Sequence, residues 1–137
     1  MSRVSIYAVE RRDYLFYVRG AVGAEDGRNK VVRLLVDTGA RRTVLPLRLL
    51  KEFGLDLTIP MKTFRVAAAG GVLQVPLFTV PWFSCIGHRW EKFEVLALAL
   101  PQSAEVDGLL GMNFLTQVKA VVDIEATEIR VQQSNKS

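Results

Sequence analysis

The chain has 137 residues, half of them hydrophobic and 23% charged, with eighteen Lys and Arg against fourteen Asp and Glu for a net charge of +4. That length and balance fit one packed domain, or one half of a symmetric assembly, and exclude a disordered chain. A single cysteine (Cys85) and a single histidine (His88) exclude an intrachain disulfide and leave too few ligands for a zinc site, and any histidine-based triad would rest on His88 alone.

Met1 to Arg12 lacks an apolar core of secretory-signal length, and the longest unbroken apolar stretch, Val95 to Pro101, is far short of the ~20 residues of a membrane span. The expectation is a soluble, cytoplasmic protein with no membrane partner. Basic residues are scattered, only Arg11-Arg12 and Arg41-Arg42 being adjacent. No basic stripe with interleaved aromatics stands out, so nucleic acid is not the expected partner.

Turn signals recur along the chain at the rhythm of an all-β fold. Tyr14 to Val18 reads as a buried strand, and Gly20 to Asn29, with three glycines, as a hairpin loop. Val31 to Val36 is a β-branched strand running into Asp37-Thr38-Gly39. Val44-Leu45 is a short strand stopped by Pro46. Residues 47–53 carry apolar side chains at 47, 49, 50 and 53, close to helical spacing, and Gly54 stands where a helix stops. Phe64 to Ala68 and Val72 to Val80 flank the turn Ala69-Gly70-Gly71, and Pro76 and Pro81 predict edges or irregular pairing. Trp82 to Cys85 and Trp90 to Leu100 flank a turn at residues 86–89 that should leave His88 exposed. Trp82, Phe83 and Trp90 should pack as core or interface, and Cys85 as a small buried thiol. Pro101 to Glu105 reads as a polar loop, Met112 to Val118 as a short helix after Gly108-Leu109-Leu110-Gly111, and 120–131 as a last hairpin turning at 125–127. The single domain should have its core at about 12–132 and a polar tail at 133–137.

Asp37 carries the sharpest chemical signal. A carboxylate directly after a hydrophobic run must be paired or neutralised. Thr38 can hydrogen-bond through its hydroxyl, and Gly39 lets another backbone approach closely. Two such loops face to face would place two carboxylates within hydrogen-bond reach, sharing one proton because both cannot ionise. That pair could activate water and protonate a carbonyl in general acid–base hydrolysis. By itself the tripeptide is equally a strand-end turn in which Asp accepts from backbone amides. Its context adds weight: a hydrophobic strand before it, a glycine-tipped hairpin after it, and a second apolar-apolar-glycine motif at Leu109-Leu110-Gly111.

On these residues the chain resembles the retropepsin-like aspartic proteases. Leu35-Val36-Asp37-Thr38-Gly39-Ala40 with Thr43-Val44-Leu45 is similar to the family's active-site loop and following strand. Gly70-Gly71 sits where the family has its flap, and residues 108–115 resemble its second motif and helix. The helix at 47–53 and the hairpin at 120–131 look more like cellular and bacterial members, and like the protease domain of the DNA-damage-inducible ubiquitin-shuttle proteins, than like viral ones. The resemblance implies an all-β, closed-barrel-like fold with one or two short helices. It implies an aspartic endopeptidase with Asp37 catalytic, Thr38 and Gly39 in support, and no cofactor or metal. Ala40, Arg41, Ala68, Ala69, Gly70 and Gly71 would border or cover a peptide or protein substrate. Asp-Thr-Gly occurs once, so one chain holds half a site and a homodimer is expected, with Val121, Val122, Ile124, Ile129 and Val131 as candidates for its interface.

Two departures stand out. Viral members have acidic residues where this chain has Arg41 and Arg42, and an arginine where it has Met112, so their bracing ion pair has no counterpart. The loop is either braced differently, or Arg41 and Arg42 line the cleft and favour acidic substrate side chains. The hairpin tip has no polar side chain, so any grip on substrate would come from backbone amides. A catalytically weak dimeric peptide-binding or scaffold module, and a processing module acting on its own flanking sequence, are the rival readings.

Overall fold

Along residues 29–36 the strand period of two buries Val32 and Leu34 on one face, and the same period buries Phe93, Val95 and Ala97, and Ile129 and Val131. The computed structural model describes residues 3–100 and 105–133. Its elements in order are β1 (Val4–Ala8), β2 (Glu10–Arg12), β3 (Leu15–Gly23), β4 (Asn29–Val36), β5 (Val44–Pro46), α1 (Leu47–Glu52), β6 (Lys62–Ala68), β7 (Gly71–Cys85), β8 (His88–Leu98), β9 (Gly108–Leu110), α2 (Met112–Gln117), β10 (Val121–Asp123) and β11 (Glu128–Gln132).

The larger sheet runs β2-β3-β4-β9-β5-β8-β7-β6, and a further pairing of β3 with β7 closes its middle six strands into a ring. Closure comes through Gly20–Gly23 against Trp82–Cys85. β4 with β9 and β5 with β8 are the parallel pairs. Inside the ring Phe83 stacks on Phe93 with centroids 4.9 Å apart, and Phe114 meets both edge-on at 5.4 and 6.0 Å, an arrangement that adds to area burial. A second, three-stranded antiparallel sheet, β1-β11-β10, closes one end.

The structure revises several expectations. Gly20 to Gly23 is strand, not loop, and the turn is confined to residues 24–28. These glycines serve close packing: a β-carbon on Gly20 would lie 3.0 Å from the Ser84 carbonyl, and one on Gly23 would run into the Trp82 indole. Pro81 does not split its strand. β7 continues through it, lacking a bridge only at that position, because β7 changes partners from β6 to β8 and β3 along its length. His88 is buried, not exposed. The tight turn is Ile86-Gly87, both at positive φ as a two-residue hairpin requires. His88 therefore begins β8, with Nε2 against the Gln132 carbonyl. Residues before Arg12 form β1 and β2, which short, mixed patterns hid. Ile129 and Val131 point into the core, so they cannot face a partner, whereas Val121 and Ile124 are exposed. Residues 101–104 of the expected loop and 134–137 of the tail lie outside the described residues, as does the side chain of Ala68.

Candidate active site

β4 delivers Asp37 to the site. Its pairing with β9 continues one step past the strand, where the Asp37 amide donates to the Leu110 carbonyl at 3.0 Å. The chain then turns, the Ala40 amide donating to the Asp37 carbonyl at 3.1 Å. The Gly39 amide donates to Asp37 Oδ1 at 2.9 Å, which orients the carboxylate. Among the described residues no hydrogen bond reaches Oδ2. Asp37 and Ala40 are half-buried, and Thr38, Gly39 and Arg41 are exposed.

Behind this loop, β9 and α2 act as a clamp. The first amides of a helix lack intrahelical partners, and here two of them hold the site. Met112 donates to the Ala40 carbonyl at 2.8 Å and Asn113 to the Arg41 carbonyl at 3.0 Å. Asn113 Oδ1 also accepts from the amide and the hydroxyl of Thr43, both at 2.9 Å. The fully buried Thr43 hydroxyl in turn accepts from the Gly111 amide at 3.1 Å, and Asn113 Nδ2 donates to the Glu94 carbonyl at 3.0 Å. The approach is so close that a β-carbon on Gly111 would collide with the Arg42 backbone, and one on Gly108 with the Val44 carbonyl. This polar knot does the bracing that an ion pair could not do with Arg41, Arg42 and Met112 in place. Thr43 and Asn113 lie in the two motifs that carry the resemblance, but the sequence alone assigns neither a role of its own. The available signals were a hydroxyl opening an apolar strand and an amide two residues after a glycine.

Across from the loop, β6 and β7 form a hairpin with Ala69-Gly70 at its tip and Gly71 at φ +127°. Its outer part is exposed on both faces, Val66, Val72 and Leu73 included. It meets the loop at its base, where the Arg42 guanidinium lies 4.6 Å from the Phe64 ring centroid. Asp37 to Arg41 are thus brought together, while Ala69 to Gly71 stand apart on the hairpin. Among the described residues no hydrogen bond joins the two segments.

The surface beside the loop is apolar. One groove, of about 420 Å³, is lined by Arg11, Tyr14, Leu15, Phe16, Val36, Thr38, Val122 and Ile124. Another, of about 440 Å³, runs past Met112, Leu115 and Ala120 and shares Thr38 and Val122 with the first. Elsewhere, Asp107 Oδ2 accepts from the Arg33 amide at 2.8 Å, a loop-fastening role. No helix among the described residues is long and apolar enough to cross a membrane.

The fold has a solved counterpart. The chain is similar to a retropepsin-like aspartic protease from Rickettsia conorii, with a TM-score of 0.70 at 22% identity over 97% of this chain and 94% of that one. No curated protein matches by sequence. The family model described as aspartyl protease matches residues 21–114. That stretch is more than half of the chain and contains the Asp37 loop, the β6–β7 hairpin and the start of α2, so the chain belongs to the aspartyl protease family.

Proposed function

We propose that the chain is an aspartic endopeptidase of retropepsin type, active as a homodimer in which each protomer contributes Asp37. The observation that carries this reading is the one-sided fastening of the Asp37 loop. It is clamped from behind by β9 and α2, while Thr38 and Gly39 face outward between two apolar grooves. A second copy set on this surface would bury apolar side chains and bring the two carboxylates together around a twofold axis.

The chemistry then follows from charge. Two carboxylates at hydrogen-bond distance share one proton. The ionised member takes a proton from water as the water attacks the peptide carbonyl. The protonated member donates to the carbonyl oxygen, and return of a proton to the amide nitrogen releases the amine. The Gly39 amide keeps the carboxylate aimed. In this reading Ala40 and Arg41 border the substrate backbone, and the segment Ala68, Ala69, Gly70 and Gly71 closes over it as a flap through backbone groups. Peptides or proteins are the substrates, no metal or cofactor takes part, and the setting is cytoplasmic.

The test is cleavage of a diverse peptide mixture from acidic to neutral pH, with Asp37→Asn alongside. Cleavage by the wild type alone, with a bell-shaped dependence of kcat/KM on pH, is the expected result. A folded dimer that binds peptides but cuts none would replace this reading with a binding module. Equal cleavage by both proteins would remove Asp37 from the mechanism.

A further inference from the structure

Six of the chain's arginines, at 12, 28, 33, 48, 89 and 130, are ion-paired to carboxylates. Arg41 and Arg42, beside the candidate active site, have no such partner among the described residues. Residues 38–51 and 57–90, which follow Asp37 and contain the whole β6–β7 hairpin, hold no Asp or Glu. They do hold seven Lys and Arg: Arg41, Arg42, Arg48, Lys51, Lys62, Arg65 and Arg89. Two of these cations meet where loop and hairpin touch: the Arg42 guanidinium lies 4.6 Å and Lys62 Nζ 5.0 Å from the Phe64 centroid, and the exposed Arg41 precedes Arg42 in the chain. Two cations on one ring repel each other, and the ring quadrupole offsets only part of that.

We propose that Arg42 and Lys62, with Arg41 beside them in the chain, form a cationic subsite where the Asp37 loop meets the β6–β7 hairpin, selecting substrates with an Asp or Glu a few residues from the scissile bond. This rests on the aspartic endopeptidase reading above. A peptide lying between loop and hairpin passes this corner after leaving Asp37. A carboxylate there neutralises the repelling cations and accepts from a guanidinium already seated against Phe64. Lys or Arg at the same substrate position adds a further like charge and is rejected.

The experiment uses matched peptides differing only in Glu, Gln or Lys at each position flanking a cut site, with two readouts. One is kcat/KM for the wild type, Arg42→Met, Arg42→Lys and Arg41→Met/Arg42→Met. The other is peptide affinity of the uncleaving Asp37→Asn protein with and without Arg42→Met. At one position Glu should be preferred over Gln by about fivefold to tenfold, the scale of a charge-assisted contact at a partly exposed site. Arg42→Lys should keep part of that preference, the double variant should abolish it, and high salt should weaken it. Cleavage without an acidic preference at any position, or with one that survives in the double variant, overturns the subsite and leaves the protease reading intact. Arg42-dependent binding of acidic peptides with no cleavage by the wild type supports the subsite and removes the protease reading. Absence of any acidic preference in binding overturns the subsite whether or not the protein cuts.

Discussion

Asn113 Oδ1 accepts two hydrogen bonds from one residue, the amide and the hydroxyl of Thr43, each at 2.9 Å. Through this pair the first turn of α2 holds the loop carrying Asp37. Asn113→Ala leaves both donors of the buried Thr43 without their acceptor and should destabilise the fold by about 1–3 kcal/mol. Asn113→Asp keeps the double acceptor but sets a carboxylate oxygen against the Glu94 carbonyl at a partly exposed position, so it should cost less than Asn113→Ala without being neutral. Thr43→Val removes the hydroxyl and strands the Gly111 amide. Denaturant unfolding of the three variants checks the order. If Asn113→Ala proves as stable as the wild type, the knot does not fix the loop.

Part of this arrangement was legible in the sequence and part was not. Asp37 after a hydrophobic strand, α1 stopping shortly before Gly54, and the Ala69-Gly70 hairpin are local patterns, and the structure places them as expected. The Thr43–Asn113 knot joins residues 70 positions apart. Its members look like ordinary strand-opening and helix-opening residues until β4 and β9 are paired. Gly20 and Gly23 misled for the same reason. Glycine marks a turn locally, but here it marks β3 passing under Ser84 and Trp82, a contact that exists only once the ring closes. His88 misled because a tight turn can end one residue before it.

Gly111 makes a sharper test of the clamp. Its φ of −99° suits any residue, so conformational freedom is not why it is glycine. A β-carbon there would collide with the Arg42 backbone, which cannot swing aside as a side-chain tip would. Gly111→Ala should cost at least about 1–3 kcal/mol by overpacking, or abolish folding. Gly70→Ala is the control: open space surrounds a β-carbon at Gly70, so its effect on stability should stay within about 0.5 kcal/mol. Equal stability of the two variants would show that α2 does not press on the loop.

Ile124 and Ile129 separate interface from core. Ile124 is 69% exposed beside the groove that contains Thr38, whereas Ile129 is fully buried. Ile129→Ala should therefore lower stability at any protein concentration, by roughly 2–5 kcal/mol. Ile124→Glu should leave the protomer's own stability nearly unchanged. If two copies meet across this groove, it should raise the dimer dissociation constant tenfold or more, since burying one such side chain is worth about 1.5–3 kcal/mol. Sedimentation velocity against protein concentration, with activity measured at each concentration, reads both effects. Unaltered self-association of Ile124→Glu would move the interface elsewhere.

Cys85 gives a pH prediction whose sign is fixed by burial. The thiol lies on the closing strand β7, 3% exposed, with Sγ 3.6 Å from the Arg19 carbonyl. Desolvation pushes it from 9.0 up to about 12. The folded protein therefore keeps the proton over a range in which the unfolded chain has lost it. Unfolding is favoured as pH rises through that range, and the contribution is whole below the unfolded thiol's value. The loss should approach roughly 1.4 kcal/mol per pH unit between those limits. Other groups titrate at high pH too, so the quantity to measure is the stability of the wild type minus that of Cys85→Ala. That difference should be constant below about pH 8 and shrink steadily toward about pH 11. In the same window the native thiol should resist alkylation, since the thiolate is the reactive form, and react once denaturant is added. A difference that stays level across the range, or rapid alkylation of the native protein, would mean that the ring opens at β7 far more readily than its pairing with β3 and β8 implies.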